Sequence, residues 1–202
     1  MIIIFMKKFI DLAGKSLLSG IAIGIGATVY VSVGGVVGAI LFAFGLITII
    51  SYRWSLYTGL AGFVANRADA VNLLPIIVFN SLGCYIAAVA VAYGRPELID
   101  ACRVVVDARL SHSLGECFVL AIGCGFIMTV IVKFAREEGK WLPLLFGIPV
   151  FILCGFLHSI ADAFYISLAN EIANPSMIYR WLIVIAGNFV GCNLIRIIQR
   201  TN

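Results

Sequence analysis

Nine residues, CGFLHSIAD (154–162), put a histidine and an aspartate four positions apart inside one of the most apolar stretches of the chain. Ionisable side chains at bilayer depth are costly, so they tend to line a path or a binding site. His158 can change charge near neutral pH and can exchange a proton with a weak acid. The bland alternative is a buried histidine bonded to backbone. Asp162 follows one turn later. With Ser159 it forms S-x-x-D, the pattern of a capping box that would open a helix there. A place on a pore wall is compatible with that cap, and an ionised Asp162 beside His158 would favour imidazolium. Thr58, in SLYTG, offers a hydroxyl that can donate to an anion, orient an imidazole, or cap a helix. Arg109, in DARLSHS, is expected on a loop at the mouth of an apolar segment, where it would raise the local anion concentration. Ser113 and Glu116 spell a second capping box, S-x-x-E, and His112 reads as an interface residue. The aromatics Phe42, Tyr57 and Phe151 lie near the same places. They could form apolar rings that exclude hydrated ions, or simply pack.

These side chains need a frame, and composition supplies it. The chain has 202 residues, 62% of them hydrophobic and 12% charged, with a mean hydropathy of +1.10. A soluble domain of this length cannot hide so much apolar surface, so the class is a polytopic all-helical membrane protein. Six segments satisfy the need for about 20 mostly apolar residues per crossing: 16–34, 35–66, 72–93, 112–134, 141–170 and 177–198. The second and fifth are too long for single helices. SYRWSLYTG interrupts the second, and Pro149, Gly155 and the His158 group interrupt the fifth. Broken helices at membrane depth are tolerated where protein or a water-filled cavity surrounds the freed backbone. Residues 1–15 are expected to form an amphipathic segment on the membrane, with no cleavable signal peptide.

Lys and Arg set the orientation. Lys7, Lys8, Lys15, Arg67, Lys133, Arg136, Lys140, Arg196 and Arg200 fall on one side, against Arg95, Arg103, Arg109 and Arg180 on the other, so both termini are expected in the cytoplasm. Asn80, Gly83 and Cys84 in the third segment match Asn188, Gly191 and Cys192 in the sixth, both as N-x-x-G-C. Together with the paired breaks, this suggests two inverted halves, 16–93 and 112–198, with a transport site between them. Helix packing through the asparagines and glycines is the alternative explanation. The six cysteines (84, 102, 117, 124, 154 and 192) show no C-x-x-C pair and read as small core hydrophobes, with Cys102 alone outside an apolar segment. No metal or other cofactor is expected, and no basic patch suits nucleic acid.

Four motifs in this order resemble the formate/nitrite transporter family: LYTG (56–59), RLSHSL (109–114), GFLHSIAD (155–162) and GNFVG (187–191). The resemblance implies an aquaporin-like protomer of six helices, with the second and fifth broken, assembled as a homopentamer in the cell membrane of a prokaryote. It implies passage of small monovalent anions or their conjugate acids, such as formate, nitrite, hydrosulfide or acetate, together with protons. By resemblance, His158 is the central histidine and Thr58 its loop partner. Phe42 and Leu46 would form a cytoplasmic constriction, and Leu56, Tyr57 and Phe151 an outer one. The sequence departs from the family pattern at Asp162 (asparagine), Arg109 (lysine), Leu60 (asparagine) and Gly125 (asparagine).

Other functions are weaker fits. A cation path would need several acids facing one cavity, and Glu116 belongs at a segment end. A channel for neutral solutes would be expected to carry paired N-P-A motifs, whereas the one similar triplet, NPS (174–176), falls in a loop. His158, Ser159 and Asp162 lie too close on one turn to set a base between a nucleophile and its orienter, so an enzyme is not expected. A purely structural subunit would not need a histidine at one of two paired breaks.

Overall fold

The computed structural model describes residues 2–199 and contains no strand among them. Among the described residues, nine α-helices carry the fold. Four are long and apolar enough to cross a membrane: α1 (Ile2–Val33), α4 (Arg67–Gly94), α6 (Leu114–Glu137) and α9 (Pro175–Gln199). Both interrupted segments are built from shorter pieces. In the first, α2 (Gly35–Ser51) is followed by α3 (Tyr57–Leu60) and a 3-10 turn (Ala61–Phe63). In the second, α7 (Leu142–Leu153) is followed by α8 (Ser159–Leu168). Pro149 lies inside α7, so the break comes after it, over 154–158.

The two breaks are built alike. After α2, Tyr52 N–H bonds Thr48 O, Arg53 N–H bonds Ile50 O, and Trp54 N–H bonds Ile49 O. After α7, Cys154, Gly155 and Phe156 make the same three bonds to Val150, Ile152 and Phe151. This is the Schellman closure of a helix, which needs one residue in the left-handed region. Arg53 (φ 54°) and Gly155 (φ 72°) are those residues. Leu56 and His158 then hold equivalent extended conformations, each opening the next short helix.

The N-x-x-G-C match is a matched set of bonds. Asn80 Oδ1 accepts from Tyr57 N–H, and its amide donates to Ser16 O and Ser55 O. Asn188 Oδ1 accepts from Ser159 N–H, and its amide donates to Ala121 O and Leu157 O. Each asparagine thus fastens one interrupted segment to the first helix of its own half. Cys84 donates to Ile160 O and Cys192 to Thr58 O, so each thiol reaches into the opposite half. The glycines permit the close approach. A Cβ on Gly83 would strike Leu17 O, and one on Gly191 would strike Ile122 O. Gly125 is a contact of the same kind, facing Asn188 O as Gly20 faces Asn80 O. An asparagine at 125 has no room here.

Four expectations change. Residues 2–15 are not a separate segment, because α1 runs unbroken from Ile2 to Val33; a Lys15–Asp11 pair at 2.7 Å sits on its exposed side. Residues 98–111 form a helix, α5 (Leu98–Ser111), where the sequence suggested a loop. Its buried side chains Leu98, Cys102 and Val106 fall at i, i+4 and i+8, the stripe of an amphipathic helix. The helix is too short and polar to register as a crossing. The cysteines also change places: Cys102 is buried on α5, whereas Cys154 at the break is exposed. Finally, NPS opens α9 rather than lying in a loop.

Two cavities lie at opposite ends of the inverted pair. One, of about 230 Å³, is walled by Arg109, Tyr30, Phe42, Phe151, His158 and Tyr165 among others. The other, of about 510 Å³, is walled by Arg53, Trp54, Leu60, Arg136 and Trp141 among others. Leu60 also borders the crevice formed by Leu12, Val64 and Asp69, and Arg196 bonds Val64 O. The larger cavity is therefore on the face that carries both chain termini.

Candidate functional site

His158 is the residue on which the two halves meet. It is 2% exposed, and both ring nitrogens are engaged. Nδ1 accepts from Ala161 N–H at 3.0 Å, capping α8. An Nδ1 that accepts carries no hydrogen, so the neutral ring holds its proton on Nε2. Nε2 lies 2.8 Å from Thr58 Oγ1 and therefore donates to it. The Thr58 hydroxyl hydrogen then has no acceptor among the described residues and remains for a third group. Thr58 itself is fully buried.

This arrangement replaces the expected capping box. Ser159 does not cap α8; its Oγ is buried without a partner among the described residues. His158 is the cap. Asp162 is also not beside the imidazole as a counter-charge. Its Oδ1 takes the Nε–H of Arg109 at 3.1 Å. The carboxylate is 3% exposed and the guanidinium side chain 22%. Arg109 is thus not a solvated loop residue: it sits on α5, donates to Val105 O, and lies 5.3 Å above the Tyr165 ring. Two of its five N–H groups are used, and the remainder belong to the cavity it borders. The Asp162 carboxylate thus faces the Arg109 guanidinium at 3.1 Å, which offsets the arginine's charge at the cavity wall.

The aromatic residues also group differently from expectation. Phe42 and Phe151 meet edge to face, 6.2 Å apart and 89° inclined, on the Arg109 side of His158. Phe151 stacks on the imidazole at 5.7 Å and 26°. Leu46, Leu56 and Tyr57 are buried, and Leu56 and Tyr57 immediately precede Thr58 in the chain. Tyr57 is fixed at both ends, by its N–H to Asn80 and by its hydroxyl to Ile185 O. The Phe42–Phe151 pair therefore draws on both halves of the chain, whereas Leu46, Leu56 and Tyr57 all belong to the first half.

The start of α8 is nearly closed to ligands. Ser159, Ala161 and Asp162 N–H already have acceptors in Asn188, His158 Nδ1 and His158 O. Its positive end acts through the histidine, whose outward N–H is the group it presents. The expected box at Ser113 and Glu116 does form, and it starts α6. His112 ends α5, and its carbonyl accepts from Arg180. Sequence reasoning missed Tyr165, Tyr30 and the helix that carries Arg109. It also missed Trp181, whose indole N–H holds Ser159 O. No group of three or more acidic, histidine or cysteine side chains is placed to hold a metal among the described residues.

With this geometry in view, the relatives are consistent with one another. The family model of the formate/nitrite transporter matches residues 5–198. A formate-nitrite transporter of Plasmodium malariae is 23% identical over 91% of this chain and 73% of its own length. A formate channel of Bacillus thuringiensis, BtFdhC, is 22% identical over 77% of this chain and 68% of its own. An uncharacterised transporter of Bacillus subtilis, YrhG, is 28% identical over 68% of this chain and 59% of its own. Among solved structures, a pentameric formate channel with formate bound superposes with a TM-score of 0.82 at 19% identity, covering 96% of each chain. An ion channel of the same family also superposes at 0.82, covering 92% and 86%. The fold is theirs, and the motifs fall at its centre: this chain belongs to the formate/nitrite transporter family.

Proposed function

We propose that the protein is a membrane channel for small monovalent anions or their conjugate weak acids, of the size of formate, nitrite or hydrosulfide. The observation that carries this reading is the buried His158–Thr58 bond beside the Phe42–Phe151 pair, which borders the arginine-lined cavity. A bare anion loses its hydration at the Phe42–Phe151 gate and pays heavily for it. Loss of hydration favours the protonated acid. The acid takes its proton from water in the vestibule and carries it across, which links flux to protons.

His158 serves this passage as a hydrogen-bond donor rather than as the acid. To become imidazolium it would have to protonate Nδ1 and lose the Ala161 N–H that closes α8. The bond to Thr58 orders that hydroxyl, which offers its hydrogen to an oxygen or sulfur passing the centre. Leu46, Leu56 and Tyr57 form the second gate.

The same reading has the chain crossing the membrane six times with both termini cytoplasmic, in accordance with the distribution of Lys and Arg. It takes the assembly to be a homopentamer with one pore per protomer, as in the pentameric formate channel it resembles. A prokaryotic cell membrane suits the Bacillus relatives, although the Plasmodium relatives extend the family beyond it.

The test is flux in proteoliposomes that contain a pH dye, with formate, nitrite, hydrosulfide and acetate offered in turn. Substrate-dependent internal pH change is expected in wild type. It should fall in His158→Ala, which loses the donor, and persist in part in His158→Asn, whose amide can donate. Abolition by His158→Asn in folded protein would make the histidine the proton donor after all. Flux of none of these acids in wild type would overturn the channel reading.

A further inference from the structure

The two cavities differ in charge, and the difference has a direction. In the smaller one, Arg109 is the only guanidinium or ammonium group among the described residues, and Asp162 faces it at 3.1 Å. In the larger one, the wall carries two guanidinium groups, Arg53 and Arg136, and no acid among the described residues. The acids nearest in sequence are already taken: Glu137 pairs with Lys133 at 3.8 Å and Glu138 with Lys140 at 2.7 Å. Neither Arg53 nor Arg136 has a side-chain hydrogen bond or ion pair among the described residues.

The backbone under Arg53 makes its presence informative. Its φ of 54° lies in the left-handed region, and the equivalent turn of the other half places Gly155 there at φ 72°. A side chain in this region costs about 1 kcal/mol that glycine would not. At a turn whose twin uses glycine, the chain keeps an arginine and aims it at a cavity. Trp54 and Trp141 supply flat walls beside the charges, and Leu60 leads from the cavity to Tyr57 and Thr58.

We propose that the Arg53–Arg136 cavity is an anion-capture site, and that the channel loads its monovalent anion preferentially from the face carrying the chain termini. The ligand class is a small oxyanion or carboxylate, which the planar donor forks of two guanidinium groups recognise. At about 510 Å³ the cavity holds such an anion with its water, so capture precedes dehydration at the gate. Fixed positive charge in a cleft raises the local anion concentration and falls away with salt. The neutral Arg109–Asp162 vestibule lacks this pull. The directional half of the inference rests on the anion-channel reading; the capture site does not.

Two measurements separate them. First, iodide quenching of tryptophan fluorescence is compared with quenching by neutral acrylamide, in detergent-purified protein. Trp54 and Trp141 wall the cavity, so iodide should quench with saturation at low salt. Arg53→Gly with Arg136→Gln should abolish the saturation and leave acrylamide quenching unchanged. Glycine suits the backbone at 53, so that variant keeps the turn. Second, initial formate flux is measured in vesicles of defined sidedness. Half-saturation from the termini face should be lower by about tenfold at low ionic strength, and the double variant or high salt should remove the difference. Iodide quenching that ignores both arginines overturns the capture site. Arginine-dependent quenching with equal half-saturation on the two faces overturns the direction of loading. Arginine-dependent quenching with no flux of any acid leaves the site standing and overturns the channel reading together with the direction.

Discussion

Replacing Asp162 by asparagine removes one charge from the pore wall and little else. The amide keeps an oxygen for Arg109 Nε–H and nearly the same volume, so the lost quantity is the carboxylate charge. Breaking a fully buried ion pair from one side costs about 3–5 kcal/mol, whereas an exposed pair is worth about 0–1 kcal/mol. This pair is intermediate, with the aspartate buried and the arginine 22% exposed beside a cavity. The retained hydrogen bond, Val105 O and the Tyr165 ring still hold the guanidinium. A destabilisation of about 1–2 kcal/mol follows, readable as a lowered thermal unfolding midpoint in detergent. The effect on flux has the opposite sign. At an effective dielectric constant of ~20, a carboxylate about 8 Å from a permeating anion repels it by about 2 kcal/mol before screening. Removing it should lower the half-saturation concentration for formate from the Arg109 side by about tenfold at low salt, less at high salt. Arg109→Gln in the same background should cancel the gain. An unchanged or raised half-saturation in folded Asp162→Asn would refute the premise that this carboxylate neutralises the vestibule.

Asn80→Ala and Asn188→Ala should each destabilise the protein by about 2–5 kcal/mol, because each leaves one N–H and two carbonyl contacts unmet in the interior. Since the bond sets match, the two losses should agree in thermal unfolding; a large difference would deny their equivalence. Thr58→Val leaves His158 Nε2–H without its acceptor and should cost about 1–3 kcal/mol and most of the flux, while Thr58→Ser should restore both. Gly125→Asn should fail to fold or lose at least about 1–3 kcal/mol, because its Cβ meets Asn188 O and comes within 2.9 Å of Cys192 N; a stable variant would show that α6 and α9 can separate there.

Much of this fold is legible in the chain because the membrane simplifies the code. Apolar runs mark the crossings, and a run too long for a helix announces a break. Three matched letters in N-x-x-G-C encode a complete bond set because a buried asparagine must satisfy its whole amide and glycine admits the backbones to each other. The misreadings have one origin. S-x-x-D is a local pattern, and Asp162 answers instead to Arg109, 53 positions away on a helix too polar to register as a crossing. Once Asp162 is claimed from outside, His158 takes over the cap. Phe42 and Phe151 likewise cannot be paired from sequence, since which turn of α2 faces which turn of α7 depends on the crossing of two helices.

The asparagines have one more consequence. Each fastens an interrupted segment to a helix of its own half, so the halves are stiff pieces. The hydrogen bonds that join them are few: His158 to Thr58, Tyr57 to Ile185, the two thiols, Asn193 to Ala61, and Arg196 to Val64. The pore therefore runs along a seam where α2 packs on α7 and α4 on α8. A bilayer that thickens, thins or comes under lateral tension would strain this seam, and the His158–Thr58 bond that the permeating acid must pass crosses it. Conduction in such a channel should respond to the mechanics of its membrane without any domain devoted to sensing it.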